Sequence, residues 1–120
     1  MHIYSFEKLE VWQKSRRFVR DIYSITSNFP DSERYGLTSQ IRRAAISVSS
    51  NLAEGSSRKT SKNQAHFYVF AYSSCIEIIN QIILAFDLQY IDEDIYTNTR
   101  VKLEKITNQI NSLKNSIQNK

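Results

Sequence analysis

The scarcity of glycine and proline is the feature that most limits how this chain can fold. Its 120 residues include two Gly and one Pro, the residue types on which tight turns most often depend. A turn-rich β-sandwich and a disordered linker protein are therefore excluded. The composition favours long helices with few connections, and the length favours a single domain over residues 1–120.

Composition and the N-terminal segment restrict the class of protein further. Seven Tyr, six Phe and one Trp can fill a core without a metal or a disulfide. The single cysteine, Cys75, excludes a disulfide framework and fits a reducing compartment. The N-terminus has no apolar run and does not predict a signal peptide. The longest apolar stretch, residues 76–88, is interrupted by polar side chains and predicts no membrane partner. We expect a cytoplasmic protein.

Apolar residues at helical spacing predict two helices in the first half of the chain. The first runs from Lys8 to Asn28 and ends there because proline disfavours helical geometry in the residue before it, here Phe29. The second begins at Gly36 or Leu37 and runs to Ala53. Gly55 is predicted to be its left-handed stop.

The second half predicts two more helices. The third runs from Lys62 to Leu88, and Ser61 with Gln64 three residues later forms a predicted capping box at its start. The fourth follows the acidic residues 92–94, which a helix N-terminus favours. Its apolar residues repeat about every 3.5 positions, which is typical of left-handed bundle packing: Leu103, Ile106, Ile110, Leu113 and Ile117. The sequence therefore predicts an all-α fold, an antiparallel up-down-up-down four-helix bundle protomer.

The third helix is more apolar than a monomeric bundle needs. A helix on the outside of a bundle hides about a third to half of its circumference, yet this one carries two apolar stripes. One is predicted to face the bundle: Phe67, Ala71, Ile78, Ile82 and Ala85. The other stripe contains Tyr68, Tyr72, Ile76, Ile79, Ile83 and Phe86. We expect it to pack between subunits of a homo-oligomer. The alternative is that the third helix is a deeply packed central helix.

Positive charge is concentrated in the first half of the chain. Residues 1–62 carry eleven Lys or Arg against six Asp or Glu, whereas residues 63–120 carry five against six. Such a basic half suits a polyanion partner, RNA or DNA, although the same charge can serve solubility alone. The candidate phosphate contacts lie on the first helix, on the second helix and around the turn that follows it: Lys14, Arg16, Arg17, Arg20, Arg42, Arg43, Arg58, Lys59 and Lys62.

Two alternatives apply to these cations: the stripe of the first helix can be a solvated helix face, and the arginines of the second helix can be ion-paired. At least one of Arg42 and Arg43 is predicted to form a structural ion pair with Glu54 or Glu77. No aromatic residue is predicted to lie between the cations, which argues against base stacking.

No set of residues predicts catalysis. Neither His2 nor His66 has a carboxylate or a cysteine at metal-ligand spacing, and the two glycines are too far apart for a phosphate-binding loop. We expect no enzyme, no cofactor and no metal. Two functions stay open: an oligomeric protein that binds nucleic acid, and a protein-binding helical scaffold or adaptor with no nucleic-acid role.

Three segments carry a resemblance to a known family. They are Phe6–Lys14 (FEKLEVWQK), Tyr35–Ala45 (YGLTSQIRRAA) and Ser47–Gly55 (SVSSNLAEG). The chain resembles the four-helix bundle proteins encoded in intervening sequences of bacterial large-subunit ribosomal RNA genes. It is also similar to the accessory variability protein of diversity-generating retroelements, a basic barrel that partners a reverse transcriptase and binds nucleic acid. The resemblance implies a ring-shaped homopentamer and no established enzymatic activity. At His66 and Tyr72 the family pattern has basic residues, so the implied polyanion surface on the third helix is weakened.

Overall fold

The computed structural model describes residues 1–118, and within that range every regular element is helical. Four α-helices span Glu10–Thr26 (α1), Leu37–Ser57 (α2), Ser61–Asp87 (α3) and Glu93–Gln118 (α4). Short 3-10 turns at Ser5–Lys8 and Asp31–Glu33 precede α1 and α2. Each helix packs on its neighbours in the chain, and α4 returns to α1. The predicted all-α four-helix bundle is confirmed.

The core takes one apolar stripe from each helix. Its fully buried side chains include Ile22 of α1, Leu52 of α2, Ile78 of α3 and Leu103 of α4. The predicted stripe of α4 is confirmed, since four of its five residues are buried and Leu113 is half-buried against the core. The periodicity of each helix is sufficient to place these residues because helical side chains three or four positions apart share a face.

Gly55 does not stop α2, and that prediction is wrong. The helix continues to Ser57, and Gly55 is a buried helical residue. A Cβ atom at this position would lie 2.6 Å from Cε1 of Tyr68 and 3.1 Å from Cβ of Phe67. Glycine is therefore required here because it lets α3 approach the backbone of α2 closely.

The starts of α3 and α4 are fixed by side-chain caps. The hydroxyl of Thr60 accepts a hydrogen bond from the backbone N–H of Asn63 at 3.1 Å. The cap thus lies one residue before Ser61, and the predicted capping box is wrong. At α4, the carboxylate of Asp92 accepts from the backbone N–H of Ile95 at 2.8 Å, which confirms the acidic helix start.

The α3–α4 connection contains the one positive φ among residues 1–118, at Gln89 (63°). The backbone N–H of Tyr90 donates to the carbonyl of Ala85 at 2.9 Å, as in a Schellman motif. This turn directs the hydroxyl of Tyr90 toward the α1–α2 connection, where it donates to the carboxylate of Glu33 at 2.8 Å. That hydrogen bond lowers the pKa of Glu33 and raises the pKa of Tyr90.

By length and composition alone, α3 could cross a bilayer, with a mean hydropathy of 1.6 over its most apolar window. A third of that window is nevertheless buried inside the bundle, where α3 packs on both α2 and α4. Core helices of water-soluble proteins have the same combination of length and hydropathy.

Candidate nucleic-acid interface and subunit face

The predicted basic stripe of α1 divides between two sides of the helix. Arg16, Arg17 and Arg20 are exposed, and Lys14 is half-buried beside Glu10 with its Nζ 3.4 Å from a carboxylate oxygen. Lys14 and Arg17 lie toward α4. The guanidinium of Arg16 instead lies 5.6 Å from the ring centroid of Trp12 on the opposite flank.

A basic groove separates α1 from α4, the most sparsely packed pair of neighbouring helices. It encloses about 310 Å³, and Phe18 and Ile106 contribute apolar side chains to it. Four cations and one carboxylate line it: Lys14, Arg17, Lys102, Lys105 and Asp21. We call these five residues the basic groove.

Only two of the four cations in the basic groove have a carboxylate partner in the part of the chain that the structure describes. Lys102 lies 3.2 Å from the Asp21 carboxylate, and Lys14 is paired with Glu10. Among residues 1–118, Arg17 and Lys105 form no ion pair. Lys102 and Lys105 were not among the cations predicted from the sequence. The sequence contained one indication of their position. Each lysine immediately precedes a buried residue of α4, Leu103 or Ile106, and so lies at the edge of the buried stripe.

Arg42 and Arg43 have different environments. The Nε of Arg42 donates to the hydroxyl of Thr26 at 2.8 Å, and its guanidinium lies 4.4 Å from the ring centroid of Tyr23. Arg43 is exposed and lines a shallow pocket with Glu77.

Neither arginine forms an ion pair with Glu54 or Glu77 within residues 1–118, so the predicted structural ion pair is wrong. Glu77 is exposed on α3. Water can therefore solvate its carboxylate, and no buried charge has to be compensated.

The α2–α3 turn adds three exposed cations, Arg58, Lys59 and Lys62. Because consecutive helices are antiparallel, this turn lies at the end of the bundle where α1 begins. The opposite end carries most of the acidic residues of the connections: Asp31, Glu33, Asp87, Asp92, Glu93 and Asp94. The charge of the protomer is therefore polarised along its long axis.

Aromatic rings do lie between the cations, contrary to the sequence prediction. The guanidinium of Arg58 lies 4.5 Å from the ring centroid of Phe67, and Arg16 lies against Trp12. Phe67 is therefore half-buried beneath a cation rather than fully buried in the bundle. The sequence could not pair Arg58 with Phe67 because they belong to different elements, whereas the i,i+4 spacing of Trp12 and Arg16 on α1 was a readable signal.

The predicted subunit stripe of α3 is spread over several environments. Tyr68 is 2% exposed and lies in the core of the protomer, where its ring contacts Gly55. Tyr72, Ile79 and Ile83 are half-buried, whereas Ile76 and Phe86 are exposed. Packing against both α2 and α4 widens the buried sector of α3 and takes Tyr68 into it.

Four large apolar side chains of α3 lie on its outward face and are each 43% to 48% exposed: Val69, Phe70, Ile76 and Leu84. We call these residues the α3 face. Three of them, all except Ile76, lie outside the subunit stripe predicted from the sequence. The sequence did show that α3 is apolar around most of its circumference. Its periodicity alone did not tell which of these apolar residues face outward.

Metal ligands are not brought together within residues 1–118. No group of three or more His, Cys, Asp or Glu could hold a metal ion in that range. Cys75 is buried as predicted, and desolvation raises the pKa of its thiol to about 12. A thiol in this state is a packing group and a poor nucleophile.

Comparisons with known proteins agree with this architecture. A family model described as 23S rRNA-intervening sequence protein matches residues 7–112. A crystal structure from Bacteroides thetaiotaomicron, of a protein with unknown function from the S23 ribosomal protein family, has a TM-score of 0.78. That match covers 87% of this chain and 97% of the other chain at 20% sequence identity, so it shows the shared fold alone. No curated protein matches the sequence.

Proposed function

We propose that this chain, which belongs to the 23S rRNA-intervening sequence protein family, is a non-enzymatic, homo-oligomeric protein of the cytoplasm that binds nucleic acid. The family match covers nearly the whole chain and defines no reaction. The proposal therefore depends on the surfaces of the protomer. The basic groove supports nucleic-acid binding, and the α3 face supports assembly.

The basic groove is the observation that carries the binding proposal. It brings Arg17 of α1 together with Lys105 of α4, and neither is neutralised by an ion pair within residues 1–118. Cations from two helices along one groove can follow successive phosphates, which a single exposed helix face does less well. The α2–α3 turn adds three exposed cations at the end of the bundle where α1 begins.

The α3 face supports the homo-oligomer. Val69, Phe70, Ile76 and Leu84 place four large, 43% to 48% exposed apolar side chains along one side of α3, with exposed polar residues among them. A second copy of the chain covers this face in the proposed assembly. The resemblance to the intervening-sequence family suggests that the number of subunits is five.

Binding is tested by its dependence on salt. Fluorescence anisotropy with labelled RNA and DNA, at several sodium chloride concentrations, should show affinity falling steeply as salt displaces the protein from phosphates. The variant Arg17→Gln/Lys105→Gln should reduce the salt slope by about 0.9 for each duplex phosphate that the protein no longer neutralises. Arg34→Gln, an exposed cation at the acidic end, is the matched control and should leave the slope unchanged.

Two results would contradict the binding proposal. Absence of RNA and DNA binding at low salt would favour the protein-binding scaffold instead, for which the α3 face is the supporting observation. Binding that the groove variant and the Arg34→Gln control alter equally would place the contact outside the basic groove.

Assembly is tested by light scattering together with circular dichroism. The parent should have a mass near five times 14.0 kDa, and Ile76→Asp should dissociate it because a buried unpaired carboxylate is heavily penalised. Helical content should be retained, since Ile76 is 46% exposed in the protomer. Val101→Asp on α4 is the control at equal exposure, 45%. A parent that runs as a single protomer at about 50 micromolar would overturn the assembly.

A further inference from the structure

The N-terminal segment forms a row of rings that ends beside the cations of α1. The rings of His2 and Tyr4 meet edge to face with centroids 4.6 Å apart, and Tyr4 stacks on Phe6 at 6.3 Å. Phe6 meets Trp12 edge to face at 4.9 Å, and Arg16 lies over Trp12. We call the four rings of His2, Tyr4, Phe6 and Trp12 the aromatic row.

The aromatic row is anchored to the bundle. The backbone N–H of Tyr4 donates to the carboxylate of Glu7 at 2.7 Å, and the side-chain amide of Gln13 donates to the carbonyl of Glu7 at 2.8 Å. The 3-10 turn that carries Glu7 also packs on α1 and α2, and Trp12 packs against the core. The segment that carries Tyr4, Phe6 and Trp12 is therefore held against the bundle before any ligand arrives.

The outer members of the row are open to solvent. Tyr4 is 60% exposed and His2 is exposed, whereas Phe6 and Trp12 are half-buried. Burial of aromatic surface is strongly favourable. Tyr4, whose backbone is held by Glu7 and whose ring is largely exposed, is therefore a surface on which another flat group can stack.

We propose that the aromatic row stacks unpaired bases, so that the nucleic acid bound by this protein is single-stranded. This inference rests on the proposed function and specifies its ligand. Every base presents a flat face to an aromatic ring, and single strands are typically held by aromatic stacking combined with cations along the backbone. The row supplies the rings, and Arg16 over Trp12, with the exposed Arg20 one turn farther along α1, supplies the cations.

A duplex does not fit this combination equally well. Its bases are already stacked on one another and paired, so Tyr4 and His2 could reach them only after the strands separate. The basic groove could contact the phosphates of either form. Discrimination between single strands and duplexes is therefore expected to come from the rings rather than from the cations.

The test uses the full chain and three probes of about 12 nucleotides, a length within the range that single-strand sites cover. The probes are a uridine oligonucleotide, an abasic oligonucleotide of equal charge, and an RNA duplex. The parent should bind the uridine strand most tightly. Tyr4→Ala should weaken that binding by roughly 5- to 150-fold, since each stacked base contributes about 1–3 kcal/mol, and should leave the other two affinities unchanged.

Two controls separate stacking from folding and from charge. Tyr4→Phe keeps the ring and should bind like the parent. Tyr35→Ala removes an 87% exposed tyrosine that also lies beside an arginine, Arg34, but at the acidic end of the bundle, and should have no effect. The single tryptophan, Trp12, gives an independent signal, because base stacking on the row should quench its fluorescence with the uridine strand and not with the abasic one.

The outcomes distinguish this inference from the proposed function. Nucleic-acid binding that is equal for the uridine and abasic strands, or that Tyr4→Ala leaves unchanged, overturns the stacking role while the basic groove still binds phosphate. A parent that prefers the duplex overturns it as well. Failure to bind all three probes contradicts the proposed function itself.

Discussion

Gly55, near the C-terminal end of α2 where α3 packs closely on it, gives the sharpest test of the packing. At most interior helix positions, Gly→Ala stabilises a protein by about 1 kcal/mol because alanine loses less backbone entropy on folding. At Gly55 we expect the opposite sign. The added Cβ would lie 2.6 Å from Cε1 of Tyr68 and 3.0 Å from its Cδ1.

The close approach cannot be relieved cheaply because Tyr68 is 2% exposed and is held in the core. Forcing an extra carbon into a packed core costs about 1–3 kcal/mol, and a contact this short with a rigid ring belongs in the upper part of that range. After the gain in helix propensity is subtracted, Gly55→Ala should lower the free energy of unfolding by about 1–2 kcal/mol. The melting temperature should fall by roughly 4–8 °C.

Thermal unfolding followed by circular dichroism, at one protein concentration, is the assay. A matched pair of variants, Ser50→Gly and Ser50→Ala, measures the ordinary effect at an exposed position of the same helix. There, Ala should be more stable than Gly by about 1 kcal/mol. In a Tyr68→Leu background, Gly55→Ala should be much less destabilising because the ring is gone. If Gly55→Ala raises the melting temperature as the Ser50 pair does, the close approach of α3 to α2 is wrong.

Three further predictions concern single side chains. The hydroxyl of Tyr90 lowers the pKa of Glu33 below its ordinary value of 4.5. This hydrogen bond therefore stabilises the fold above pH 4.5, and its contribution disappears as the pH falls through the lowered pKa. Glu33→Gln should flatten the acid limb of a plot of melting temperature against pH. The thiol of Cys75, with a pKa of about 12, should resist iodoacetamide at pH 8 in the native protein and react after unfolding in urea. Arg42→Ala should cost about 1–2 kcal/mol in urea denaturation because it removes a hydrogen bond and a ring contact, whereas its exposed neighbour Arg43→Ala should stay within about 0.5 kcal/mol.

Local pattern was enough for the secondary structure and much of the core. The four helices, the buried stripe of α4 and the burial of Cys75 all follow from which residues share a helix face. The acidic start of α4 follows equally from the charge that a helix N-terminus favours. These features depend on residues within a few positions of one another, which is why the sequence alone determined them.

Contacts between helices and with the N-terminal segment decided the features that the sequence did not predict. Tyr68 lies in the core instead of the predicted subunit stripe, and Gly55 is a point of close approach instead of a helix stop. The basic groove joins Arg17 to Lys105, and the aromatic row joins Tyr4 to Trp12, across stretches that no helical period relates. A period specifies the direction of a side chain around its own helix, but not how closely a neighbouring helix approaches or which flank it covers. Those distances are fixed only when the four helices pack together, so the candidate surfaces of this protein belong to its tertiary structure.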